Sequence, residues 1–93
     1  MKINDIGKII CDHLTMASIE QEAMRIDGFI KKSIDENNNL EERREAIKNL
    51  LSCCHPRWLG DYYVEGITYK EWTDLISIFY RSLCQYNKAK LKG

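Results

Sequence analysis

Apolar residues recur at three- and four-residue steps along most of this chain, which is the spacing of one face of an α-helix. The strongest stripe of this kind lies in the last third of the sequence and consists of Trp72, Leu75, Ile76, Phe79, Leu83 and Tyr86. Just before it, Thr68 and Glu71 have the spacing of a capping box, and Ile67 and Trp72 have that of a hydrophobic staple. These signals predict a helix that begins at Tyr69 and supplies most of the core.

Two shorter stripes fill the first third of the sequence. Their apolar members are Ile3, Ile6, Ile10, Leu14 and Ala17, followed by Ala23, Ile26, Ile30 and Ile34. We predict two helices with a break between Thr15 and Ser18, and one long helix is the alternative. Ser18 and Gln21 have capping-box spacing, which would start the second helix at Ile19.

A third helix is predicted between Asn39 and Pro56. The run of three asparagines at 37–39 favours the end of the preceding helix, and Asn39 is expected to cap the next one. The helix should stop before Pro56, because the residue ahead of a proline disfavours helical geometry. Its apolar stripe consists of Leu40, Ile47, Leu50, Leu51 and Cys54.

The segment from Arg57 to Gly66 has no helical period and is rich in aromatic residues. We interpret it as a loop between the third and fourth helices. A chain of 93 residues has too few residues for a second independent core. The sequence therefore predicts a single helical domain over residues 1–93, an all-α protein built as a small three- to four-helix bundle with one aromatic loop before the C-terminal helix.

Charge and cysteine usage limit the functional classes. Fourteen basic residues balance fourteen acidic ones, so no long-range field attracts nucleic acid or an anionic membrane, and binding of that kind needs a local patch. The lysines at 88, 90 and 92 form a tail whose charges are all positive, and we expect this tail to be solvated and frayed. No apolar run is long enough to cross a membrane, and adjacent Cys53 and Cys54 favour reduced thiols. We predict a cytoplasmic protein.

Metal binding and catalysis are the weaker chemical hypotheses. Cys11 and His13, together with Cys53, Cys54 and His55, include the ligand types that zinc prefers, but their spacing is unlike that of structural zinc sites. Adjacent Cys and His side chains usually point in different directions, and no nucleophile elbow or phosphate-binding loop is present. We therefore predict no metal, no cofactor and no enzymatic activity.

Protein binding is favoured by the composition of the loop. Trp, Tyr and Arg are the residue types most often found at interface hot spots. The residues that we predict to contact a partner are Arg57, Trp58, Asp61, Tyr62, Tyr63 and Tyr69. The alternative is that the aromatic side chains fold back over the end of the bundle. The last helix is a second candidate surface, because its apolar face is wider than a small bundle needs, and it suggests a homodimer.

A small DNA-binding regulator is the alternative function. Lys31, Lys32, Arg43 and Arg44 are the candidate phosphate-binding residues. Acidic residues interrupt this set, as is usual on a solvated surface. Ala23 and Gly28 are also one residue too far apart for a helix-turn-helix. Nucleic acid is therefore an unlikely partner.

The second half of the chain resembles the nuclease-colicin immunity proteins in the order of four short motifs. These are His55-Pro56, Asp61-Tyr62-Tyr63, Glu65-Gly66-Ile67 and Lys70-Glu71-Trp72. Proteins of that family are small helical inhibitors whose paired tyrosines meet the toxin, so the resemblance implies that Asp61, Tyr62 and Tyr63 face a toxin. The chain departs from the family in having no proline directly after the tyrosine pair and in being neutral instead of strongly acidic. The function that we predict is a non-enzymatic interaction protein, either an inhibitor or immunity-type binder or a small regulatory adaptor.

Overall fold

The computed structural model of the chain describes residues 2–55, 58–62, 64 and 66–91. Its elements are α1 (Ile3–Met16), α2 (Glu20–Ile34), α3 (Leu40–Cys53), a short 3-10 turn (Leu59–Asp61), α4 (Tyr69–Tyr86) and a π-helical segment (Asn87–Leu91). Within these ranges there is no β-strand. The predicted all-α bundle is confirmed, with four α-helices in the described part of the chain.

All four helices contribute to one apolar core. Helix α2 packs against both α1 and α3, whereas α4 packs mainly against α1 and less extensively against α3. Trp72 and Phe79 of α4 are the largest fully buried side chains. Leu59 and Val64, which lie between α3 and α4, are buried in the same core. The loop is therefore anchored to the bundle by its apolar residues.

The predicted break between the first two helices is confirmed, but its mechanism differs from the prediction. Ser18 has a φ of 65°, in the left-handed region, and its amide bonds to the carbonyl of Thr15 (3.0 Å). The amide of Ile19 bonds to the carbonyl of Leu14 (2.8 Å), so the pair of bonds is a Schellman motif that ends α1. Ile19 precedes α2 with no side-chain cap, and the capping box predicted at Ser18 and Gln21 is therefore wrong.

Replacing Ser18 by Gly is expected to stabilise the protein. A residue with a Cβ pays about 1 kcal/mol to adopt the left-handed conformation, and Gly does not. We expect the free energy of unfolding to rise by about 0.5–1 kcal/mol, as measured by urea denaturation. The matched control is Ser77→Gly at an exposed position within α4, which should lower the free energy of unfolding by about 0.5 kcal/mol. Equal effects at the two positions would contradict the role of Ser18.

The predicted caps of the third and fourth helices are confirmed. The Oδ1 atom of Asn39 accepts a hydrogen bond from the amide of Glu42 (2.8 Å) at the start of α3. At the start of α4, the amide of Glu71 donates to Oγ1 of Thr68 (3.1 Å), and the side chain of Glu71 accepts from the amide of Thr68 (3.4 Å). These interactions satisfy amides that have no partner within their own helix.

The buried face of α3 lies slightly to one side of the predicted stripe. Its fully buried residues are Ala46, Ile47, Leu50 and Cys53. Leu51 and Cys54 are partly buried and pack against the core, whereas Leu40 is exposed, so the predicted stripe was wrong at Leu40. Helix α3 packs mainly against α2.

The segment that follows α4 is folded through Leu91, which corrects the prediction of a frayed tail. Leu91 is completely buried, and Nε of Arg44 in α3 donates a hydrogen bond to its carbonyl oxygen. Lys88 and Lys90 are exposed on this π-helical segment, and Lys92 lies outside the described residues. The buried leucine and the hydrogen bond from Arg44 attach this segment to the bundle while its lysines stay in water.

Candidate protein-binding surface

The structure describes three of the six residues predicted to contact a partner. Trp58 and Tyr62 are half-buried and pack against the core, and Tyr69 at the start of α4 is 62% exposed. Arg57, Tyr63 and the side chain of Asp61 lie outside the described part of the chain. The described aromatic residues therefore combine attachment to the core with accessible surface.

Glu22 of α2 binds both half-buried aromatic side chains. Its Oε1 accepts a hydrogen bond from the indole Nε1 of Trp58 (3.1 Å), and its Oε2 accepts one from the hydroxyl of Tyr62 (3.1 Å). The side chain of Glu22 is only 16% exposed. Two residues that are four positions apart in the loop are thus held by one carboxylate from a distant helix.

Arg25 stacks on the aromatic rings beside this carboxylate. Its guanidinium carbon lies 4.6 Å from the ring centroid of Trp58 and 5.7 Å from that of Phe29, both within the range of cation–π attraction. Nη1 of Arg25 is 3.7 Å from Oε1 of Glu22, and the Arg25 side chain remains 45% exposed. Two rings and a carboxylate therefore hold Arg25 in place while its side chain remains accessible to solvent.

Tyr69 extends the same region toward the start of α4. Its hydroxyl donates a hydrogen bond to the carbonyl of Gly60 (2.9 Å), which fixes the ring against the loop. Tyr62 and Tyr69 also line one small cavity together with Trp72. We call this region the aromatic–arginine surface, and its members are Arg25, Phe29, Trp58, Tyr62 and Tyr69.

Glu22 raises the pKa of Tyr62, although burial is the larger cause. Both effects favour the protonated hydroxyl, because burial disfavours a phenolate and the carboxylate accepts the hydroxyl proton as a hydrogen bond. Tyr62 therefore stays neutral and remains a donor to Glu22 at physiological pH.

Sequence analysis did not identify Arg25 and Phe29 as members of this surface, or Glu22 as the residue that holds Trp58 and Tyr62. They share one face of α2 at helical spacing, but this pattern is also that of an ordinary solvated helix face. Their role arises from packing of the loop against α2, across 36 residues of sequence between Glu22 and Trp58. Local periodicity carries no information on such a contact.

The cysteines are unpaired, and burial makes two of them weak nucleophiles. Burial raises the pKa of Cys54 to about 12, with smaller contributions from Cys53 and Cys84. Burial, followed by the charge of Asp27, raises the pKa of Cys11 to about 11. Both thiols are protonated at neutral pH, and the thiol is far less reactive than the thiolate.

Cys11 and His13, two of the residues considered as zinc ligands, make different contacts in the structure. Sγ of Cys11 lies 3.4 Å from the carbonyl oxygen of Ala23, and the ring of His13 packs edge-on against Trp72 with centroids 6.4 Å apart. Over the ranges that the structure describes, no three His, Cys, Asp or Glu residues are grouped to hold a metal ion.

Three of the four candidate phosphate-binding residues have partners within the chain, and one of them is Arg44, which donates to the carbonyl of Leu91. Nζ of Lys31 lies 2.8 Å from Oδ2 of Asp27. Arg43 is half-buried and donates hydrogen bonds to the carbonyl of Ser33 and to the hydroxyl of Tyr86 (both 2.9 Å). Lys32 is exposed at the end of α2. Arg43 therefore links three helices inside the bundle and is a structural residue.

Comparison with protein-family models, curated proteins and solved structures found no match for this chain. None of the described helices has the length and apolar character needed to span a membrane.

Proposed function

We propose that this chain is a non-enzymatic protein-binding protein, an inhibitor or immunity-type binder or a small regulatory adaptor, that holds its partner through the aromatic–arginine surface. The observation that carries the proposal is the position of Arg25, whose guanidinium lies over the rings of Trp58 and Phe29 while Glu22 fixes Trp58 and Tyr62. We further propose that it acts in the cytoplasm, consistent with its four free cysteines.

The residue types and their rigidity both support this function. Trp, Tyr and Arg contribute most of the binding energy at many protein interfaces. Here the polar ends of Trp58, Tyr62 and Tyr69 already have hydrogen-bond partners within the chain. A partner therefore does not have to order these side chains, and the entropy cost of association is lower for a surface prepared in this way.

A paired alanine substitution tests the proposal. The double variant Arg25→Ala/Tyr69→Ala truncates the two members of the surface that are more than 40% exposed. The double variant Tyr80→Ala/Arg81→Ala removes the same residue types from exposed positions further along α4 and is the matched control. Circular dichroism should show intact helices in both variants.

Immobilised wild-type protein and both variants would be incubated with a lysate of the source cells, and captured proteins would be quantified by mass spectrometry. We expect a protein that the wild type and the control retain and the Arg25/Tyr69 variant loses. With the purified partner, the loss of affinity should be about 30-fold, which corresponds to removal of a hot spot. Equal retention by both variants would contradict the proposal.

The same materials distinguish the alternative functions. A DNA-binding regulator would retain nucleic acid at low salt and release it steeply as the ionic strength rises, whereas an aromatic interface is less sensitive to salt. A homodimer formed through α4 would sediment as two copies and would be weakened by the Tyr80/Arg81 control, because Tyr80 is 49% exposed on that helix. Either result would replace the proposed function.

A further inference from the structure

A basic groove lies between α3 and the π-helical segment, away from the aromatic–arginine surface. It has a volume of about 590 Å³. The basic side chains of Arg44, Lys48 and Lys88 line it, together with the apolar side chains of Ile47, Leu51 and Leu91. The docked Leu91 builds one wall, and its carbonyl is held by Arg44, so the groove depends on the folded π-helical segment. Short π-helical segments occur frequently at functional sites.

The charges of this groove are not neutralised within the described chain. Lys8, Lys31 and Lys70 each form an ion pair with an aspartate four residues away, whereas no described carboxylate lies within 4.0 Å of the basic groups of Arg44, Lys48 or Lys88. Three basic groups without a described carboxylate partner therefore line one partly apolar groove, although the chain as a whole has no net charge.

We propose that this groove binds an acidic peptide segment of a partner protein, with carboxylates at Arg44, Lys48 and Lys88 and an apolar side chain against Leu51. Complementary charge sets the position of the segment and speeds its encounter with the groove. The half-buried side chain of Leu51 offers an apolar contact, which a peptide with only acidic side chains would leave unused. This inference goes beyond the proposed function, because it uses none of the residues of the aromatic–arginine surface.

A peptide fits this groove better than a nucleic acid backbone. Phosphate binding is driven by many cationic contacts along an extended face, and here three cations surround an apolar floor. Of the other residues proposed for a basic face, Lys31 and Arg43 are held by partners within the chain, which leaves Lys32 as a single exposed cation. An acidic peptide with one apolar side chain can pair with the three basic groups and also pack against the apolar floor of the groove.

The test uses fluorescence anisotropy of a labelled synthetic peptide with a central Leu between two runs of Glu, at low ionic strength. A second peptide has Ser in place of the Leu, and a third has Gln in place of every Glu. The proteins are the full chain, Lys48→Gln/Lys88→Gln, Leu51→Asn and the matched control Lys8→Gln/Lys70→Gln. The two lysine variants change the net charge equally, and circular dichroism verifies the fold of each.

We expect the Leu peptide to bind the full chain and the Gln peptide not to bind. Lys48→Gln/Lys88→Gln should weaken binding about five- to tenfold, whereas the control should stay within about twofold. The Ser peptide should bind about tenfold more weakly than the Leu peptide, and Leu51→Asn should remove that difference.

Four results would overturn the inference. Equal binding of the Ser and Leu peptides would mean that the floor of the groove is not used. Equal weakening by the two lysine variants would mean diffuse attraction with no defined site. Displacement of the Leu peptide by a single-stranded oligonucleotide at lower concentration, with dependence on Lys48 and Lys88, would assign the groove to nucleic acid. Absence of any binding of the Leu peptide would also reject it.

Discussion

Replacing Trp72 by Ala is expected to lower the free energy of unfolding by about 3–5 kcal/mol, the range for removing a large buried aromatic side chain. Trp72 is only 1% exposed, and its Nε1 donates a hydrogen bond to the carbonyl of buried Leu59 (2.8 Å). The substitution leaves a cavity and also removes the donor that satisfies this carbonyl. Domains of this size have about 5–15 kcal/mol of stability in total, so the variant should be close to unfolding.

Urea denaturation followed by circular dichroism measures this effect. Trp72→Phe keeps most of the volume but leaves the Leu59 carbonyl without its donor, and it should cost about 1–3 kcal/mol. Trp58→Ala is the matched control, because Trp58 is only half-buried and its Nε1 donates to Glu22, where water can replace it. A larger effect at Trp58 than at Trp72 would show that the loop, and not the start of α4, holds the bundle together.

Replacing Arg43 by Ala is the second large effect that we expect, a loss of about 2 kcal/mol in the free energy of unfolding. Arg43 donates to the carbonyl of Ser33 and to the hydroxyl of Tyr86, and Tyr86 also donates to Ser33 (3.3 Å). The network joins the end of α2, the start of α3 and the end of α4. Arg43→Lys should not restore stability, because a lysine cannot supply two donors in the geometry of a guanidinium group.

The control for Arg43 is Lys32→Ala, which removes the same charge from an exposed position. It should change the free energy of unfolding by less than about 0.5 kcal/mol. Both variants would be measured by urea denaturation and by retention on immobilised DNA at low salt. If Arg43→Ala left stability unchanged and abolished retention on DNA, Arg43 would be a phosphate ligand and the DNA-binding alternative would gain support.

Local signals in the sequence were sufficient for the helices and their caps. The apolar spacing from Trp72 onward and the pair of Thr68 and Glu71 predicted the start of α4, and Asn39 was correctly identified as the cap of α3. Each of these features depends on residues within one or two helical turns. Such short-range interactions can be inferred without knowing how the helices pack.

Tertiary contacts were not predictable in the same way. The burial of Leu91 depends on its docking against α3, and a single leucine among lysines forms no local apolar pattern from which this docking could be predicted. Ser18 adopts a left-handed conformation that usually selects Gly or Asn, so its type suggested a cap at the wrong end of a helix. The predicted members of the candidate surface lie in the loop and at the start of α4. The members on α2 were not predicted, because they are remote from the loop in sequence.

The single carboxylate of Glu22 has a consequence for how this protein can diversify. Because Glu22 is hydrogen-bonded to both Trp58 and Tyr62, we expect a substitution at position 22 to change the orientation of two of the proposed contact residues at once. Selectivity can thus be altered by changes on α2, and compensating changes at positions 22, 58 and 62 should accumulate together in diverging lineages.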